Sequence, residues 1–139
     1  MKKYLKLIYI PLLKWLANMT VVMVIFGYLF PNPLNKWLEL SLGWAVSLLV
    51  AMFFTYWACH REVPHGKQLG LLIIFWVVVT VLMEMFLSYY TFYDPFFTLV
   101  RYEFAVQMLL EILGILTIVK VLRRQHAYNV AAEGINLEG

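Results

Sequence analysis

The chain has 139 residues, 63% of them hydrophobic and 14% charged, with 11 Lys+Arg, 8 Asp+Glu and a formal net charge of +3. An average soluble domain carries roughly a quarter charged residues, and a small one leaves much of its surface in water. An ordinary cytosolic globule is therefore excluded, and the bilayer is the expected solvent. The weak positive charge forms no basic patch among aromatics, so nucleic-acid binding has no footprint. One cysteine, Cys59, and three scattered histidines, His60, His65 and His126, supply neither a disulfide nor a metal-ligand set, and no cofactor is expected.

A membrane span needs about 20 mostly apolar residues. The first charge-free stretch, 15–35, predicts a span over about 7–30, flanked by Lys2, Lys3 and Lys6. Lys14 interrupts its apolar run and no small-x-small site precedes Pro31, so it reads as a retained span and not as a cleaved signal peptide. Pro11 implies either a helix that starts near it or a kink. Lys14 and Asn18 share one helical face. At about 10 Å from the inner end by helical rise, Lys14 is expected to snorkel to the headgroups. Asn18, deeper, is expected to hydrogen-bond another helix. Pro31-Asn32-Pro33 ends the span.

The second span, about 38–59, carries Gly43, Ser47, Ala51 and Thr55 at intervals of four, a row of small residues that lets another helix approach closely. Pro64-His65-Gly66 separates it from the third span, about 69–90, in which Thr80, Glu84 and Ser88 share a face. After Asp94-Pro95 comes the fourth span, about 102–122, with Glu103, Gln107 and Glu111 on one face. Its Leu, Ile and Val residues between Leu109 and Leu122 contribute at most about −3 to −6 kcal/mol to insertion, and one central Glu costs about 2.5 to 3.5. Insertion of this span is favourable by a narrow margin. The remainder, 125–139, reads as a polar cytoplasmic tail that frays.

Short connections make each span antiparallel to its sequence neighbours. The fold class is thus an all-α integral membrane protein, an up-down antiparallel four-helix bundle over 1–124. Lys2, Lys3, Lys6, Arg61, Lys67, Lys120, Arg123 and Arg124 fall at one edge, and only Lys36 and Arg101 at the other. This bias places both termini in the cytoplasm, and the plasma membrane is the expected location. Trp37 and the aromatics from Tyr89 to Phe97 then form an outer belt, with Trp15 and Trp57 at the inner one.

Two functional readings follow. No nucleophile elbow, phosphate loop, His-Glu-x-x-His or bundle Glu-x-x-His pattern occurs, so no enzyme is expected. The first reading is non-enzymatic action by helix association, as a homo-oligomer or an accessory subunit of a membrane complex. It rests on the Gly43, Ser47, Ala51, Thr55 face and on the marginal fourth span. The alternative is a proton- or cation-coupled small-solute transporter or channel. For this, Glu84 lies about 9 Å deep, and Gln107 and Glu111 roughly 7 and 13 Å deep, by helical rise. With Thr80, Ser88 and Glu103 they are expected to form a polar cluster in the outer leaflet, of the kind that marks ion pathways. Pairing of Lys14 with Glu84 is not expected, because their depths place them in opposite leaflets.

Overall fold

The computed structural model describes residues 2–30 and 34–138 of the chain, with side chains described over 6–30 and 34–135. The fold is all-helical. Helix α1 (Lys2–Val24) continues into a π-helical turn (Ile25–Leu29) and is followed by α2 (Lys36–Cys59), α3 (Lys67–Phe92) and α4 (Tyr102–Glu138). All four helices are long and apolar enough to cross a membrane. The expected break at Pro31-Asn32-Pro33 lies outside the described residues.

Local chemistry sets the helix ends. Asn35 caps α2 by accepting a hydrogen bond from the Trp37 amide, 3.1 Å. Gly66 precedes α3 at φ +48°, ψ −115°, a conformation that a Cβ would strain. Helix α3 stops where Tyr93 turns left-handed, and Asp94 then accepts from the Phe96 amide at 2.9 Å. Pro11 lies inside α1, since the helix already begins at Lys2.

Neighbours in sequence are not all neighbours in space. Helix α1 packs on α2 and α3, α2 packs most extensively on α4, and α4 touches α3 lightly. Among the described residues α2 and α3 share no close backbone approach, nor do α1 and α4, so each of these pairs lies across the bundle's diagonal. At one end Leu7 and Ile10 of α1 gather with Cys59 of α2 and Leu72 of α3. There Arg123 of α4 donates to the Pro64 carbonyl at 2.7 Å. At the other end Phe26, Leu40 and Phe104 come together, and the Trp44 indole donates to the Glu103 carbonyl at 3.3 Å.

Burial is the reverse of what water selects. Lys14, Asn18, Ser47, Thr55, Thr80, Glu84, Ser88 and Glu111 are buried, while Leu49, Phe53, Ile74, Leu82, Phe86, Leu109 and Leu113 are more than half exposed. Large side chains outside and polar ones inside are arranged as lipid-tail solvation requires. The closest interhelical approach made by a glycine is at Gly114 of α4. A Cβ there would meet Leu48 Cδ1 at 3.0 Å and Met52 Cγ at 3.1 Å on α2.

Three expectations require correction. The tail does not fray at 125, since α4 continues unbroken to Glu138. Once a helix is nucleated each further residue adds a hydrogen bond, and Ala127, Ala131, Ala132 and Glu133 are good helix formers. Lys14 does not snorkel, because its side chain is 0% exposed. Trp15 belongs to no interfacial belt, being 7% exposed and turned inward, whereas Trp57 remains 47% exposed. A three-to-four-residue period carries Ile10, Lys14 and Asn18 to the same inward stripe, and the packing of Ile10 fixes the helix rotation that buries all of them.

Gly114→Leu should force α4 away from α2 and lower stability by about 1–3 kcal/mol. Gly114→Ala, whose tight contacts are with side-chain atoms of Leu48 and Met52, should cost less, about 1 kcal/mol. Thermal unfolding of the purified protein in detergent measures both, and equal melting temperatures for the two variants would contradict the close approach.

Candidate functional site

All four helices bury polar residues in the interior, and those of α1, α3 and α4 meet around one ion pair. Lys14 of α1 donates through Nζ to Glu111 Oε2 of α4 at 2.5 Å, with both side chains 0% exposed. The same carboxylate oxygen accepts from the Trp76 indole of α3 at 2.9 Å, and Glu111 Oε1 accepts from Gln107 Nε2 at 3.1 Å. The ammonium also lies 5.7 Å from the Trp76 ring centroid, within range of a cation–π attraction. Charge, indole and amide together satisfy a carboxylate that the interior would otherwise penalise.

Glu84 lies beside this pair. Its Oε1 accepts from the Trp15 indole at 3.0 Å. It feels the field of both Lys14 and Glu111. Asn18 and Ser47 hold each other in both directions, at 3.1 and 3.3 Å, and tie α1 to α2. Ser88 and Thr98 share a short hydroxyl–hydroxyl hydrogen bond at the end of α3. Thr80, completely buried, has an Oγ1 with no hydrogen-bond partner.

Two cavities approach this network from opposite ends. One, of about 500 Å³, lies where α2 and α4 begin and is lined by Asn18, Ser47, Glu84 and Gln107 among apolar side chains, with Lys36, Glu39, Arg101 and Glu103 also on its wall. The other, of about 550 Å³, lies at the Cys59 end and is lined by Lys6, Ile10, Arg61, Glu62, Gln68 and Leu72 among others. They share no residue. Lys14 of α1, Ala51 and Thr55 of α2, Trp76 and Thr80 of α3, and Glu111 and Ile115 of α4 line neither cavity and are each 0% exposed. These seven residues form a septum, with the ion pair at its centre.

Of the two expected acidic faces, Glu84 and Gln107 line one cavity and Glu84 feels the charge of Glu111, while Thr80 and Ser88 are buried with no bond to Gln107 or Glu111. Glu103 is apart from the pair, bonded to Arg101 at 3.2 Å on the cavity wall. The sequence reading gave Lys14 to the headgroups and Trp15 to a belt and did not single out Trp76, yet these three donate to the two acids. Depth by helical rise locates Cα atoms, whereas a lysine stem and an indole carry their polar ends several ångströms further. The recognisable signal was Lys14 itself, a lone cation inside an apolar run opposite two lone acids.

The small-residue row of α2 is used within the chain. Ser47, Ala51 and Thr55 are at most 2% exposed. Gly43 lines the first cavity, with nothing within 4 Å of the place a Cβ would take.

Lys14→Met should leave Glu111 charged and unpaired in the septum and destabilise the protein by about 3–5 kcal/mol. Adding Glu111→Gln should recover a substantial part of that loss, since the neutral amide still offers an acceptor to Trp76. A double-mutant cycle from unfolding in detergent reads the coupling, and strictly additive losses would show that the two groups do not act as a pair. No family model, curated protein or solved structure matches this chain.

Proposed function

We propose that this protein is a small multi-pass membrane protein that moves a proton or cation, or couples one to a small solute, through the interior polar cluster. The observation that carries this reading is Glu84. This residue is 5% exposed, yet it lines a cavity and sits against a septum that holds a buried ion pair. Buried acids in an apolar bundle mark ion and proton pathways. Two cavities on opposite sides of one sealed layer supply the entry and exit that translocation requires, once the septum rearranges.

In this reading the helices cross the plasma membrane in up-down order, with both termini and the Pro64 loop cytoplasmic. The Lys and Arg bias supports that orientation, and the outward-facing apolar side chains support lipid as the surrounding solvent. The 500 Å³ cavity then opens outside and the Cys59-end cavity inside. Glu84 is the group that exchanges its bound cation. Lys14 holds Glu111 in place and keeps the septum closed. The chemistry is binding and release, with no covalent step. Action by helix association has less to rest on, because Ser47, Ala51 and Thr55 face the interior.

Proteoliposomes carrying the purified protein should dissipate an imposed proton, sodium or organic-cation gradient, read with a pH-sensitive dye or tracer. Glu84→Gln should abolish the flux, and Glu111→Gln should at least strongly reduce it. Flux unchanged in both variants, or none with any of these cations, would overturn the reading. Reporter fusions at each terminus should report the cytoplasm, and a periplasmic or extracellular signal at either end would reject the orientation.

A further inference from the structure

We infer that the cavity beside Glu84 is a site for one monovalent organic cation, with its charge against that carboxylate and its hydrocarbon against Met19, Phe26, Trp44 and Phe104. This deepens the transport reading and rests on it for the role of the site, though the binding can be tested without it.

Charge comes first. In the interior Lys14 is matched with Glu111 at 2.5 Å, whereas among the described residues no ion pair reaches Glu84, whose oxygen has only the neutral Trp15 indole as donor. Lys14 acts on Glu84 through space as well as on Glu111, so two buried carboxylates share one ammonium and the second is neutralised only by taking a proton or a cation. The septum's one ammonium is already committed, so the cavity side of Glu84 has room for one further unit of positive charge. Lys36 and Arg101 on the wall are offset by Glu39 and Glu103, and Arg101 is held on Glu103 at 3.2 Å.

Ligand chemistry comes next. A calcium ion takes six to eight oxygens, and magnesium keeps an octahedral shell. Among the described residues no three His, Cys, Asp or Glu converge as a metal group. Of the neutral polar groups on the cavity wall, Asn18 and Ser47 are bonded to each other and Gln107 donates its Nε2–H to Glu111, which leaves too few oxygens for such a shell. Apolar and aromatic walls contribute nothing to a hydrated inorganic ion. They suit an alkyl or aryl ammonium, which needs one carboxylate for its charge and ring faces for the rest. A volume of about 500 Å³ falls within the range of pockets that enclose small organic molecules.

One carboxylate cannot hold the proton and the cation together, so the two compete. Organic-cation affinity should therefore fall as pH falls, and the site is suited to exchange of one for the other.

The test is equilibrium binding of benzyltrimethylammonium, whose charge is permanent, to the full chain in non-ionic detergent, by calorimetry across a pH series. Expected are saturable one-site binding that weakens toward acid pH, and a loss of at least about tenfold in affinity for Glu84→Gln, with the residual binding independent of pH. Trp44→Ala should weaken binding about fivefold while keeping the pH dependence. The wild-type pH series stands alone if Glu84→Gln does not fold. Absence of saturable binding, or binding indifferent to pH, overturns the inference, and so does unchanged affinity in folded Glu84→Gln. Glu84-dependent proton or sodium flux without benzyltrimethylammonium binding would reject the organic-cation site and keep the transport reading. Binding as described without flux would keep the site and reject transport.

Discussion

The bundle is organised around an ion pair that joins two helices whose backbones, among the described residues, make no close approach. Lys14 reaches from α1 across the diagonal to Glu111 of α4, and the 2.5 Å contact lies where both side chains are 0% exposed. Neither charge is tolerable alone at that depth, since an uncompensated buried ion costs several kcal/mol. The pair therefore fixes the rotation of both helices about their axes. Trp76 and Gln107 complete the carboxylate's hydrogen bonds and bring α3 into the same constraint. Such a pair adds less to net stability than to specificity, because desolvation offsets most of the attraction. Its consequence is to select this arrangement over others that would leave a charge facing hydrocarbon.

The septum follows from that selection. Lys14, Trp76 and Glu111 occupy the centre, and Ala51, Thr55, Thr80 and Ile115 fill the space around them. Small residues on α2 let the larger groups of the other three helices fit, which gives the Ser47 to Thr55 row a role inside the chain. Close packing of α2 on α4 depends instead on Gly114, where Leu48 and Met52 leave almost no room for a side chain. Above the septum the packing opens into a cavity, and the second carboxylate, Glu84, is left at its edge. One charge pair thus lies within the septum, and a third charge is left at the edge of a cavity.

Much of this could be read along the chain. The spacing of charges located four apolar helices, and polar residues four apart marked the faces of α3 and α4 that carry Glu84 and Glu111. The pairing did not follow. Which of Glu84 and Glu111 would meet Lys14 depends on helix rotation, on axial offset between helices and on side-chain reach, and none of these leaves a mark in one-dimensional spacing. The same limit misplaced Trp15, since a tryptophan near a span end suits a headgroup belt and a buried hydrogen bond equally well. The terminal helix was misjudged for another reason: polar composition signals exposure to water, and an exposed segment attached to a long helix can still be helical.

By itself the sequence determined the four long apolar helices, because hydropathy and turn chemistry are local and add up residue by residue. It also supplied the cost of burying Glu84 and Glu111, which made them the candidates. Only the tertiary structure decided that α2 and α3 lie diagonally opposed, that Lys14 turns inward to Glu111, and that Glu84 is left beside a cavity. Those outcomes depend on four helix rotations being solved together. In a low-dielectric interior the arrangement that neutralises its charges prevails over any preference that a single helix has alone.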